Sequence, residues 1–299
     1  MRSEQRRALG WLFAGILLFA TMDAAAKWIS RSYPIAAAVW LRYLVPTVLV
    51  GAHLSRRHGW RFARSANPHL QLLRGVTLVA STLSFWTALY HLPLVEAATV
   101  SFICPTLVVV LSSLLLGERP RRVHWWALAT GFAGVVVALR PGLSQPGIGA
   151  IAALASAALY SLYLVVTRKL AGEEDALTLL FHANAIGALV LTLLAPLSAR
   201  LPMGWTEWLI LPLLGVFGTL GHWCMIRAYE RADAATLAPF MYVQLLFATF
   251  YGWAVFDDLP DGFALLGMVC ILGSGLAVLY ETRRFGRLDS RAAAVAAPE

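Results

Sequence analysis

Asp23 and Lys27 stand four residues apart in "FATMDAAAKW" (19–28), a stretch that is otherwise apolar. That spacing puts both side chains on one face of a helix. A charge in hydrocarbon costs a few kcal/mol or more, so such a face points at protein or water rather than at lipid. Arg42, in "WLRY", is a further charge inside an apolar run. With about 1.5 Å of rise per residue, Asp23 lies about 20–25 Å from the side on which the chain begins and Arg42 about 18 Å, close enough in height to pair. Lys27 lies one turn further out. Two roles for Asp23 stay open and are compatible: it neutralises Lys27 or Arg42 and fixes helix packing, or it serves a ligand or a proton. A buried pair is costly to desolvate, and removing one partner is costlier still. Counting Lys27, Arg42 and the nearby mouth, three cations face one acid. An arginine fork suits a carboxylate or phosphate, so the expected ligand is anionic or zwitterionic.

Glu96 follows "HLPLV" at the start of a span, where it complements a helix dipole or acts as an outer gate or protonation site. Trp86 and Trp40 offer apolar faces with a single donor, and most tryptophans here belong to packing or interfacial belts. Tyr160, His182, Asn184, His222 and Gln244 are polar side chains well inside apolar runs. His182 and Asn184 are two apart, so at most one of them faces a pathway. His222 follows Gly215 and Gly218 on a small-residue face, which favours a hydrogen-bonded core histidine over a titrating one. Gln244 both donates and accepts, which suits a ligand or a helix bridge. Arg74 and Arg227 fall within a turn of the interface, where snorkelling is expected.

These residues need a frame. The chain has 299 residues, 59% hydrophobic and 13% charged, where soluble domains carry about a quarter charged. It reads as an all-α polytopic membrane protein. Spans of about 20 apolar residues fall at 8–29, 33–54, 70–91, 94–116, 122–140, 147–167, 176–197, 205–229, 234–256 and 262–281. "MRSEQRR" and "AAA" at 24–26 mimic a secretory signal, but the apolar run is too long and contains Asp23, so the first span is expected to stay. Of the 24 Lys and Arg residues, seventeen lie in segments on the side of the N-terminus and three (Arg31, Arg140 and Arg200) on the other. That bias places both termini in the cytoplasm, and it accounts for the net charge of +8 without a nucleic-acid partner.

Several chemistries are missing. There is no Walker A sequence, no HExxH, no GxSxG and no pair of catalytic aspartates at span ends, so neither an ATPase nor an intramembrane enzyme is expected. His124 and His222 lack acids or cysteines at ligand spacing, so no metal site is expected. Cys104, Cys224 and Cys270 read as small core residues. No cofactor is called for.

The chain repeats itself. Shifted by 140 residues, "ALYHLPLVEAATVSFICPTLVVVLSSLLLGERP" (88–120) overlies "AYERADAATLAPFMYVQLLFATFYGWAVFDDLP" (228–260) without gaps, with Glu118 on Asp258 and Pro120 on Pro260. Five spans per half is an odd number, so the second half is inverted. Inverted repeats recur in secondary transporters, with the substrate site at the repeat interface. The expected units are 1–142, 143–283 and a disordered cytoplasmic tail at 284–299.

"LLLGERP", "AYERADAATLAPF" and "GWAVFDDLPDGFALLGMVCILGSGLAVL" resemble the EamA-type members of the drug/metabolite transporter superfamily, over nearly the whole chain. "FATMDAAAKWISRSYP" followed by "WLRY" is similar to a branch of that family. The resemblance implies movement of small metabolites across the bacterial inner membrane by alternating access, with amino acids, riboflavin, S-adenosylmethionine and opine-type metallophores among family cargoes. One departure is "FDDLP", where many members have Gly-Glu before the turn. The expectation is an exporter of an anionic or zwitterionic amino-acid-derived compound. The alternatives are an importer of a metabolite such as riboflavin or S-adenosylmethionine, and a flippase for lipid-linked cargo. The expected pathway residues are Asp23, Lys27, Arg42, Trp86, Glu96, Tyr160, Asn184, His222 and Gln244. Asp23 or Glu96 is the candidate for proton coupling, and membrane lipid is the other expected partner.

Overall fold

The computed structural model describes residues 2–59, 64–116, 122–139, 147–170, 173–194, 204–229, 231, 237, 240–277 and 280. The helices are α1 (Arg2–Ile29), α2 (Ile35–His58), α3 (Pro68–His91), α4 (Leu94–Ser101), α5 (Cys104–Leu116), α6 (Arg122–Leu139), α7 (Ile148–Leu170), α8 (Ala176–Leu194), α9 (Trp205–Tyr229), α10 (Val243–Phe256) and α11 (Gly262–Ala277). With α4 and α5 counted as one, they make ten apolar spans. Six are long enough to cross a membrane by themselves, and four are shorter. Glu118, Pro120 and the tail at 284–299 lie outside the described residues.

Local chemistry sets the helix ends. Asn67 precedes α3 and Pro68 opens it, a position where the missing N–H costs nothing. At the end of α10, Asp257 is left-handed with φ 57°. Its N–H returns to Trp253 O, and that of Asp258 to Gly252 O. Under the 140-residue shift this position falls on Gly117 of the sequence, and Asp is among the few other residues that tolerate the conformation.

The fourth span is not one continuous helix. It breaks at Phe102 and Ile103, whose N–H groups reach back only three residues, to Thr99 O and Val100 O. Pro105 supplies no N–H to the carbonyl of Ser101, which accounts for the break. Thr99 and Thr106 flank it, buried, with hydroxyls that have no partner among the described residues. Shifted by 140, Phe102 falls on Tyr242, the residue before α10. The two rings touch at 5.3 Å, so the equivalent points of the two halves meet at their shared axis.

The same shift carries α1 onto α7, α2 onto α8, α3 onto α9, α5 onto α10 and α6 onto α11. Packing follows the symmetry: α3 lies along α7 as α9 lies along α1, and α2 packs on α8. The halves therefore interleave, and one core cluster draws on both. Gly75 and Gly215 are equivalent under the shift. A Cβ on Gly75 would come within 2.5 Å of Ile186, and one on Gly215 within 2.5 Å of Val45. Each glycine lets a helix of one half approach a helix of the other, as small residues do in membranes.

Candidate functional site

Three polar assemblies cross the bundle. The central one joins α1, α2, α9 and α10. Asp23, 9% exposed, accepts a hydrogen bond from Gln244 Nε2 at 3.5 Å. Arg42 lies close enough for its charge to act on Asp23. Its guanidinium covers the ring of Tyr43 at 5.0 Å, and Nε is buried without a hydrogen-bond partner among the described residues. Gly218 of α9 faces this spot, and a Cβ there would sit 4.0 Å from Arg42 Nε and 3.5 Å from Met22 Sδ. His222, one turn on, packs its ring against the edge of Phe19 at 5.0 Å and feels the charges of both Arg42 and Arg74.

The second assembly closes the far end, opposite the N-terminus, and here an expectation is corrected. Lys27 does not join Asp23. One turn further along α1, its Nζ donates to Leu92 O at 2.5 Å and Leu89 O at 3.2 Å, at the end of α3. It also meets Asp258 at 3.9 Å. The last carbonyls of a helix lack partners within it and carry its negative pole, so they attract an ammonium strongly. Phe256 lies under both Lys27 (5.3 Å) and Arg31 (5.4 Å). Glu96 is near enough to act on the Lys27 charge, so it belongs here rather than to the centre.

The third assembly lies toward the end that carries the N-terminus and was missed in the sequence. Arg74 does not snorkel: it is 2% exposed. Its Nε donates to Thr167 Oγ1 at 2.7 Å, and Nη1 donates to Leu179 O at 2.7 Å and Gln71 Oε1 at 3.1 Å. Nη2 donates to the Tyr163 hydroxyl at 3.3 Å. Gln71 in turn donates to Glu174 at 2.5 Å. Glu174 also accepts from Ser65, and Glu173 from Asn67. The short turn between α7 and α8 thus grips the start of α3. Height along the helix had suggested snorkelling; the face on which Arg74 sits decides otherwise. The one available signal was the Gln71–Arg74 spacing of three, which puts both on that face.

The remaining candidates are dispersed. Trp86 is a core residue at 1% exposure. Asn184, buried, donates to Leu180 O of its own helix, and His182 Nδ1 likewise bonds Thr178 O. Tyr160 stacks on Tyr163 at 5.5 Å and 23°. Arg227 covers Trp223 at 5.4 Å. Cys104 and Cys224 are buried and Cys270 half-buried, all as free thiols. Among the described residues no cluster of His, Cys, Asp and Glu could hold a metal ion.

Known proteins resemble this chain along its length. The chain is 28% identical to the pseudopaline exporter of Pseudomonas aeruginosa over 278 residues, 90% of this chain and 97% of that protein. It is 28% identical to the riboflavin transporter of Rhizobium johnstonii, covering 92% of this chain and 91% of that protein. It is 23% identical to the S-adenosylmethionine uptake transporter of Rickettsia felis, covering 92% and 93%. One crystal structure superposes with a TM-score of 0.66 at 25% identity, over 94% of this chain and 99% of that chain. The model of the EamA-like transporter family matches twice, over residues 6–140 and 147–280. Two matches, one on each half of an interleaved ten-span bundle, make this chain a member of the EamA-like transporter family and a transporter rather than an enzyme.

Proposed function

We propose that the protein exports an anionic or zwitterionic, amino-acid-derived small molecule across the bacterial inner membrane by alternating access. In this reading the units are 1–142 and 143–283, and both termini are cytoplasmic. The observation that carries it is Arg42, whose Nε is buried without a partner among the described residues, near enough for its charge to act on Asp23 and faced by Gly218, which has no side chain. A buried donor left unmade costs about 1–3 kcal/mol, so it favours an incoming acceptor. The pseudopaline exporter among the relatives supports the direction. In this proposal the binding residues are Asp23, Arg42, His222 and Gln244, while Lys27 and Glu96 close the far end. A coupled proton is assigned to Asp23 rather than Glu96, because Asp23 lies with the binding residues.

Two observations favour other readings. Relatives named for S-adenosylmethionine uptake and riboflavin transport favour import. An apolar crevice of about 380 Å³ between α1 and α10, lined by Leu17, Leu246, Phe247, Phe250 and Tyr251, favours lipid-linked cargo. The test compares metabolites of medium and cells with the protein present, absent, or carrying Arg42→Ala at equal abundance. Export predicts a carboxylate-bearing compound that leaves the medium and builds up in cells both without the protein and with Arg42→Ala. Failure to take up a supplied nutrient reverses the direction. No change in either pool, with a change in membrane lipid intermediates, favours the flippase.

A further inference from the structure

The crevice between α1 and α10 has a charged foot. Arg6, Gly10, Phe13 and Leu17 follow one another along α1 at intervals of four, three and four residues, so they share one face of the helix. Leu17, 42% exposed, lines the crevice. Below it the ring of Phe13 meets that of Phe240 edge-on at 6.0 Å, which carries the apolar wall toward the N-terminus. Gly10 is exposed, and a Cβ there would meet nothing within 4 Å. At the foot of this track Arg6 is exposed and has no partner among the described residues. Glu4 is on another face of α1, where it is held by Arg7 at 2.9 Å and met by Arg231 at 3.9 Å. One acid among three arginines leaves the foot positive.

The upper part of the track is built for hydrocarbon. Leu246 and Phe250 of α10, 69% and 54% exposed, form its other wall. The lining holds one hydroxyl, that of Tyr251, and it is already bonded to Thr21 Oγ1 at 2.7 Å. Such a surface gives a polar solute nothing in return for its lost water. The lengths also agree. Arg6 and Leu17 are eleven residues apart, about 16 Å of rise, and one leaflet contributes about half of a hydrocarbon core of about 30 Å. A second copy of this chain packed on the same face would set arginines against arginines, whereas an anion with an apolar tail meets both ends of the track.

We infer that this track is a site for one anionic phospholipid of the leaflet on the side of the N-terminus. Its phosphate sits on Arg6, and one acyl chain runs past Gly10 and the Phe13–Phe240 pair into the crevice. The lipid is a resident of the site and not the cargo, so the assignment goes beyond the transport reading and does not depend on it. Asp23 is six residues from Leu17, about 120° round α1, so its contact with Gln244 lies on a different face of the same helix pair.

The test titrates the full chain in detergent micelles with palmitoyl-oleoyl phosphatidylglycerol and with phosphatidylcholine of the same chains, counting bound lipids by native mass spectrometry. The expected result is tighter binding of phosphatidylglycerol by about fivefold, the effect of one basic side chain at a membrane surface. Arg6→Gln should remove that preference. Arg6→Lys should keep it, as should Arg122→Gln at another exposed arginine. Leu17→Trp and Gly10→Phe fill the track at two heights, and each should weaken phosphatidylglycerol binding. The second enters open space, so it reads the site even where the first perturbs the fold. Equal affinity for the two lipids overturns the site, as does a preference that survives Arg6→Gln or is lost equally in Arg122→Gln. So does unchanged binding in Gly10→Phe. Protein-dependent passage of labelled phosphatidylglycerol across proteoliposome membranes would show a lipid in transit and overturn the resident assignment.

Discussion

Lys27 offers a case where magnitudes decide between two partners. Its ion pair with Asp258 looks like the natural reason for a charge at that depth, yet the pair is long, at 3.9 Å, and the Asp258 side chain is 35% exposed. An exposed pair of that kind contributes about 0–1 kcal/mol. The two carbonyls at the end of α3 receive shorter, charge-assisted bonds, one of them at 2.5 Å. Hydrogen bonds to charged groups contribute about 1.5–3 kcal/mol in soluble proteins and about 0.6–1.7 kcal/mol between membrane helices. Two of them give roughly 1–6 kcal/mol across those scales, part of it offset by the desolvation of the ammonium. Lys27→Met, which keeps the apolar stem, should therefore destabilise the protein several times more than Asp258→Asn does. Denaturant titration in mixed micelles, followed by tryptophan fluorescence, reads both midpoints. If Asp258→Asn costs as much as Lys27→Met, the argument that the α3 carbonyls dominate is wrong.

Three further outcomes follow from the same kind of reasoning. Arg74→Lys keeps the charge but loses the fork that serves Thr167, Leu179, Gln71 and Tyr163 at once; it should cost about 2–4 kcal/mol in the same titration, and a neutral result would show that one donor suffices. Gly75→Ala and Gly215→Ala each drive a methyl to 2.5 Å from a branched Cβ across the repeat interface, so each should cost about 1–3 kcal/mol, while Gly273→Ala, which meets nothing within 4 Å, should not. Glu174→Ala removes the acceptor of Ser65 and Gln71, so amide exchange over Pro68–Arg74 should speed about tenfold while α9 is unaffected; unchanged exchange would show that the α7–α8 turn does not hold α3.

Much of the architecture was legible because hydrophobic length and repeat spacing are one-dimensional quantities. Span positions, the inverted halves and the 140-residue offset all follow from counting, and the offset holds for the helices as well as for the stretch that revealed it. The height of Asp23 and Arg42 was likewise a count, and Arg42 lies near enough for its charge to act on Asp23. Turn chemistry at "FDDLP" was readable in kind, since only a few residues tolerate the backbone that Asp257 adopts.

What tertiary structure alone decided was which face each side chain meets. Asp23 and Lys27 share a helix face by spacing, yet one turn of rise carries Lys27 past the centre to the open carbonyls of α3, while Asp23 stays opposite Gln244. Arg74 sits at a height that suits snorkelling, but α7 and α8 enclose it with three partners, and Gln71 of its own helix adds a fourth. The contact of Phe102 with Tyr242 needed both halves in place. Composition and periodicity report how far along a helix a residue lies and how apolar its neighbours are. They do not report what a helix from 100 residues away brings to its other side, and in this interleaved bundle that is where each charge finds its partner.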